Sequence, residues 1–179
     1  PVPFVTAEAW LKYAIAQDPS LDTSKLSLSD FFHLFKQSVN RLTDSLGSDN
    51  PDLTGFKNAG GKLLSWHGMA DPLIMHGGTV LYWNKLSQKA SSQAELDSFY
   101  RLFLAPGAGH CFGGVGPNPM EPLSALVDWV EKGISPDTLF AETTMSGKSV
   151  SRNLCPYPST LQHDGKGDVN SAKSFTCTQ

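Results

Sequence analysis

The chain has 179 residues, 40% hydrophobic and 17% charged, with a formal net charge of −3. That length and apolar content suffice for a domain with a sizeable core. The mildly acidic balance excludes the basic footprint of a nucleic-acid binder, and no apolar run is long enough to cross a bilayer as a helix. The opening Pro1-Val2-Pro3-Phe4 lacks the basic start and long apolar run of a signal peptide, so a secretion signal is expected upstream if the protein is exported. No Asn-x-Ser/Thr sequon occurs, so no N-glycan is expected on these residues.

In chain order, residues 4–17 read as a helix. Thr6 is its expected cap, Glu8 suits the first turn, and Trp10, Leu11, Ala14 and Ile15 form an apolar stripe before Asp18-Pro19-Ser20 stops it. Residues 29–45 read as a second helix, capped by Ser29 with Asp30 following and ended at Gly47. Its Phe31, Phe32, Phe35, Val39 and Leu42 recur at helical spacing, a face suited to packing against a core or lid rather than to a ligand groove. Residues 48–61 are a linker punctuated by Asp49-Asn50-Pro51-Asp52 and Gly60-Gly61.

The central stretch, residues 62–112, reads as strand, loop, helix, strand, loop. Residues 62–66 are the first strand and lead into Asp71-Pro72. Residues 76–90 are a helix presenting Val80, Leu81, Trp83 and Leu86. Residues 102–105 are the second strand and lead through Pro106-Gly107-Ala108-Gly109 to His110-Cys111. Such a unit predicts parallel strands and a right-handed crossover, hence an α/β fold. Residues 121–132 read as a last helix, with Leu123, Leu126, Val127 and Val130 inward and Gly133 ending it. Residues 134–179 are expected to be irregular or short strands.

An Asp loop followed by a His loop is how an α/β-hydrolase delivers the last two members of a Ser-Asp-His triad. A serine hydroxyl becomes a good nucleophile only when an imidazole takes its proton. That imidazole needs a carboxylate on its other nitrogen, to fix the tautomer and stabilise the imidazolium. Asp71 and His110 are therefore the candidate catalytic residues; the plainer readings are a turn aspartate and a capped loop histidine. His67 is expected to support the Asp loop, His76 to sit at a helix start, His33 on a helix flank and His163 in the tail. None has metal-ligand spacing with another His or Cys. Asp164 and Asp168 lack an EF-hand pattern. Gly113, Gly114 and Gly116 lack the strand-to-helix setting of a phosphate loop, so nucleotide binding is rejected.

Three cysteines leave an odd one. A bridge between Cys155 and Cys177 would staple the Gly-, Pro- and Ser-rich tail, a contribution of roughly 3 kcal/mol in the chain-entropy picture. Cys111 is then left for a partner elsewhere; the alternative is a cytosolic protein with three inert thiols.

His67-Gly68-x-x-Asp71-x-x-Ile74 and Gly109-His110-Cys111-Phe112-Gly113-Gly114 resemble the tannase and fungal feruloyl esterase family. So do Arg152-Asn153-Leu154-Cys155-Pro156-Tyr157-Pro158, Gly165-Lys166-Gly167-Asp168 and the final Cys177, so that the likeness covers most of residues 62–177. The resemblance implies the C-terminal part of an α/β-hydrolase fold. Residues 1–60 would link a lid insertion to the core, 61–133 would be core carrying Asp71 and His110, and 134–179 an irregular tail. It implies a secreted serine esterase acting on esters of phenolic acids, galloyl or feruloyl, with maturation into two chains favouring tannase. It further implies that Cys111 is bonded to a Cys just before the nucleophilic Ser. The family's Gly-Cys-Ser-x-Gly elbow is absent, and no Ser has Gly at both i−2 and i+2. The Ser is therefore expected in a missing N-terminal portion, disulfide-linked to this chain. No cofactor is expected here; the family's calcium belongs to the lid, outside these residues. The alternative is a non-catalytic binding or interaction domain on a degenerate hydrolase scaffold, against which the intact Asp and His loops stand.

Overall fold

A computed structural model describes residues 4–179. They divide into two compact units between Asn50 and Pro51. The first opens with α1 (Val5–Ala9), which continues as a π-helical stretch, Trp10–Ala16. Phe4 stands at its N-cap with no side-chain bond, so Thr6 is not the cap; the helix ends at Gln17, whose φ is 54°. Leu11 and Ile15 are its buried residues.

α2 (Leu28–Leu46) starts earlier than expected because Ser27, not Ser29, caps it. Ser27 lies three residues before Asp30, the spacing at which both side chains reach back to the other's backbone N–H, at 3.1 and 3.0 Å. Gly47 follows as the C-cap with extended backbone, φ −64° and ψ 131°. Trp10 Nε1 donates to Ser38 Oγ at 2.8 Å and Arg41 to the Ile15 carbonyl at 2.8 Å, joining the two helices. Within this unit Phe31, Phe32, Phe35 and Val39 stay exposed. Phe31 and Phe35 border an apolar groove of about 780 Å³ with Trp10 and Tyr13.

The second unit holds α3 (Thr54–Asn58), β1 (Leu63–Gly68), α4 (His76–Lys89), α5 (Gln93–Asp97) and β2 (Tyr100–Ala105). β1 and β2 are parallel, in register from Leu63 opposite Tyr100 to Gly68 opposite Ala105. β2 is nearly all apolar, as a strand covered on both faces must be, and Leu102, Phe103 and Ala105 are fully buried. One face meets Trp83 and Leu86 of α4 and Leu96 of α5; the other meets Leu139, Ala141 and Leu154. α5 was not legible in the sequence. Leu81 points outward, so α4 presents Trp83 and Leu86 to the core.

β3 (Asn118–Pro119) is followed by α6 (Pro122–Lys132), which Gly133 ends at φ 69°. The inward residue of α6 is Trp129, 3% exposed, whereas Leu123, Val127 and Val130 lie outward. Trp129 sets the helix phase because its ring is the largest apolar surface on α6, and the Lys62 ammonium stands 5.5 Å above it.

The tail is more regular than expected. β4 (Leu139–Met145) and β5 (Lys148–Leu154) form a hairpin, and β3 adds a third antiparallel strand beside β4. Ser146 and Gly147 both take positive φ, 50° and 76°, the two-residue turn whose twist matches paired strands. β6 (Thr160–His163) and β7 (Phe175–Thr178) form a second hairpin. Tyr157 N donates to the Leu102 carbonyl at 2.7 Å, docking the start of this segment on β2. Cys155 and Cys177 are bonded across a separation of 22 residues.

Replacing Cys155 with Ala is expected to lower unfolding free energy by roughly 3 kcal/mol in denaturant titrations. A peptide map of the unreduced protein should show Cys155 and Cys177 peptides linked; finding both as free thiols would remove the bridge from the account.

Candidate active site

Two loops leave the carboxyl ends of β1 and β2 side by side. The backbone ladder continues past the strands: Met69 N donates to the Ala105 carbonyl and Ala70 N to the Ala108 carbonyl, each at 2.9 Å. Gly68 is where they cross, and a Cβ there would collide with the carbonyl oxygens of Ala108 and Gly109. The Asp loop is thus laid against the His loop by main-chain bonds.

Asp71 is 8% exposed. Its Oδ1 accepts the backbone N–H groups of Leu73 and Ile74, at 2.8 and 2.9 Å. Its Oδ2 accepts Nδ1–H of His110 at 2.8 Å. Burial alone pushes this carboxyl up, but the Ile74 N–H, His110 and the Leu73 N–H together outweigh it and hold the group well below the ordinary carboxylate range. Asp71 is therefore an ionised acceptor at neutral pH. That makes Nδ1 of His110 the protonated nitrogen and leaves Nε2 an acceptor in the neutral ring. Among the described residues Nε2 has no hydrogen-bond partner, and the His110 side chain is 38% exposed.

His67 lies beside the pair. Its Nδ1 is 2.8 Å from Thr79 Oγ1 and its Nε2 is 2.9 Å from the Ile74 carbonyl. Asp71 Oδ2 is 3.5 Å from the same Nε2, too far for a strong bond. His110 opens a four-residue turn, with Gly113 N donating to its carbonyl at 3.1 Å. Cys111, second in that turn, has φ 58° and is an exposed free thiol. Phe112 packs on Trp66 with ring centres 5.8 Å apart. A shallow pocket of about 160 Å³ is lined by Trp66, His67, Asp71, Ile74, His110 and Cys111, among others.

The structure thus brings Asp71, His110 and His67 together, with Cys111 at the pocket edge and the Cys155–Cys177 bridge elsewhere in the unit. His76 is the first residue of α4. His33 pairs with Gln37, and His163 with the Gly167 carbonyl. Among the described residues no group of three or more His, Cys, Asp or Glu is arranged so that it could hold a metal ion. Sequence reasoning missed Thr79 and the two backbone donors to Asp71. The donors were inferable, because an Asp-Pro start favours an Asx turn onto N–H groups just downstream. Thr79 carried no such signal.

Parallel strands with an Asp loop and a His loop at their carboxyl ends, joined through helices, define an α/β-hydrolase arrangement. Residues 4–178 match the family model described as tannase and feruloyl esterase, and the chain belongs to that family. It is 42% identical over 182 residues to a probable feruloyl esterase of Arthroderma benhamiae, matching 99% of this chain and 34% of that protein. Its structure is similar to an esterase from Aspergillus oryzae, with TM-score 0.84, 30% identity, and 99% and 38% of the two chains covered. It is also similar to a tannin acyl hydrolase from Aspergillus niger, with TM-score 0.79, 25% identity, and 95% and 32% covered. The chain therefore spans about a third of the length of these relatives.

The lowered Asp71 carboxyl makes a pH-dependent contribution to stability. A group whose folded pKa lies below its unfolded value stabilises the fold above the unfolded pKa, and that stability is lost as pH falls through the folded pKa. The ordinary Asp value is 3.8. Unfolding free energies of wild type and Asp71→Asn should therefore keep a constant difference above about pH 5 and converge as pH falls below about 4. A difference that stays flat down to pH 2 would contradict an ionised Asp71.

Proposed function

We propose that this chain is the base-carrying, C-terminal part of a longer, secreted serine carboxylesterase acting on esters of phenolic acids. The observation that carries the reading is the His110–Asp71 bond, with Nε2 left unpartnered at the pocket. The nucleophilic Ser comes from the N-terminal portion of the same protein, since no elbow motif lies in these residues. Nε2 of His110 takes the Ser proton as Oγ bonds to the acyl carbon. The resulting imidazolium, stabilised by ionised Asp71, then protonates the alkoxide as the ester C–O bond breaks. Water repeats the sequence with His110 as base, which releases the acid and restores the Ser. Asp71 keeps its charge throughout, because its hydrogen bonds favour the carboxylate.

Cys111 is assigned a bridge to a cysteine beside that Ser, pinning the nucleophile loop to the His loop. The acyl group is assigned to the feruloyl rather than the galloyl class. The 42%-identical relative carries the former name, whereas the tannin acyl hydrolase is 25% identical. Calcium is assigned to a lid outside these residues, and no step passes through it.

In the full-length enzyme, Asp71→Asn and His110→Ala should each lower turnover of methyl ferulate on the order of 10⁴-fold, and the double variant should be no worse than the poorer single. Turnover within a few-fold of wild type in either single variant would remove that residue from the triad.

A further inference from the structure

We propose that His67 is a positioning residue for the Asp71–His110 pair, acting through the backbone of Ile74. The proposal rests on the esterase reading above and goes beyond it by adding a residue that acts through the Asp loop and not on the reacting atoms.

Ile74 is held through both peptide groups that flank its Cα. Its N–H donates to Asp71 Oδ1 at 2.9 Å and its carbonyl faces His67 Nε2 at 2.9 Å. A carbonyl only accepts, so Nε2 of His67 carries a proton there. The neutral ring then offers a lone pair at Nδ1, which accepts Thr79 Oγ1–H at 2.8 Å. Both nitrogens are thereby satisfied by one tautomer of the uncharged ring. Thr79 belongs to α4, a helix whose Trp83 and Leu86 are buried in the core. The ring therefore connects a helix packed in the core to the loop that follows Asp71. His67 itself sits on β1 opposite Leu104 of β2, and its side chain is only 14% exposed.

A role as catalytic base is excluded by the same geometry, since both ring nitrogens are engaged and neither is free to accept a Ser proton. Direct pairing with Asp71 is the weaker contact, at 3.5 Å against 2.9 Å for the Ile74 carbonyl. Without His67, the Ile74 carbonyl loses its donor, and the chain is freer to turn about the Ile74 Cα, which also carries the N–H side. Asp71 then loses the backbone N–H that fixes Oδ1, and its Oδ2 drifts from the position that orients His110. A misplacement of about 1 Å at such a distance from the chemistry can cost about 100-fold in rate.

The geometry separates the two ring nitrogens, and so does the test. Counting bonds from Cα, a glutamine amide nitrogen falls where Nε2 does, and an asparagine side chain reaches only as far as Nδ1. In the full-length enzyme with methyl ferulate, His67→Asn should lower kcat about 100-fold with KM within about twofold. His67→Gln should recover kcat to within about fivefold of wild type, because the donor to Ile74 is restored. Thr79→Val, which removes only the anchor of the ring, should cost kcat a few-fold with KM unchanged. The glutamine variant decides the matter even if the asparagine variant folds poorly: a glutamine variant as slow as His67→Asn, or as slow as 100-fold below wild type, overturns the proposal. So does an asparagine variant with wild-type kcat, or a loss that falls on KM. His110→Ala in the same series separates the two claims. If it is inactive while the His67 variants are normal, only the positioning role fails; if it turns over like wild type, the esterase reading fails and the positioning role with it.

Discussion

The parallel pairing of β1 with β2 is what the site depends on. Their last pair, Gly68 opposite Ala105, brings both strands to an end at the same level. The ladder then runs on through Met69 and Ala70 into the His loop. Because the side-chain period of a strand is two, a one-residue slip would turn every side chain of β1 to the other face and carry the Asp loop away from His110. The buried apolar residues of β2 make such a slip costly. The 2.8 Å bond between His110 and Asp71 thus rests on backbone geometry more than on the freedom of two side chains.

A carboxylate almost wholly out of water is costly unless its lone pairs are used. Asp71 divides the work: Oδ1 faces two backbone N–H groups and Oδ2 faces His110. That division leaves one nitrogen of His110 unpartnered at the pocket. The neighbouring turn carries its own cost, since Cys111 takes a left-handed φ of 58° that glycine would adopt with less strain. A left-handed non-glycine residue costs of order 1–3 kcal/mol. Placing a thiol at this position fits the proposed bridge, because the turn projects Cys111 outward while His110 remains against Asp71.

The parts of the fold legible in the sequence were those with a strong local signal. The apolar strand ending in Ala105, the helix after the Asp loop, the Gly133 stop and the spacing of Asp71 and His110 all carried one. The bridge between Cys155 and Cys177 was suggested by an apolar-poor tail between two cysteines. Other features were decided by competition between local choices. Ser27 and Ser29 both precede an apolar run, and only Ser27 has a carboxylate three residues on. The face of α6 was misjudged because four aliphatic residues were weighed above one Trp, whose ring buries more surface. The β4–β5 hairpin was missed although Ser146-Gly147 sits between alternating residues, since its strands carry polar outward positions such as Glu142 and Ser149. The ring contacts of His67 depend on α4 lying beside β1, and no local pattern reports that.

The central claim is that His110, oriented by Asp71, activates a serine that lies outside these 179 residues. Its most direct test is covalent labelling of the full-length enzyme with a serine-directed phosphonate, followed by peptide mapping. The account expects one adduct, on a serine outside residues 1–179, formed rapidly by wild type and only at a trace rate after His110→Ala. An adduct on a residue within this chain, or equal labelling rates with and without His110, would contradict it.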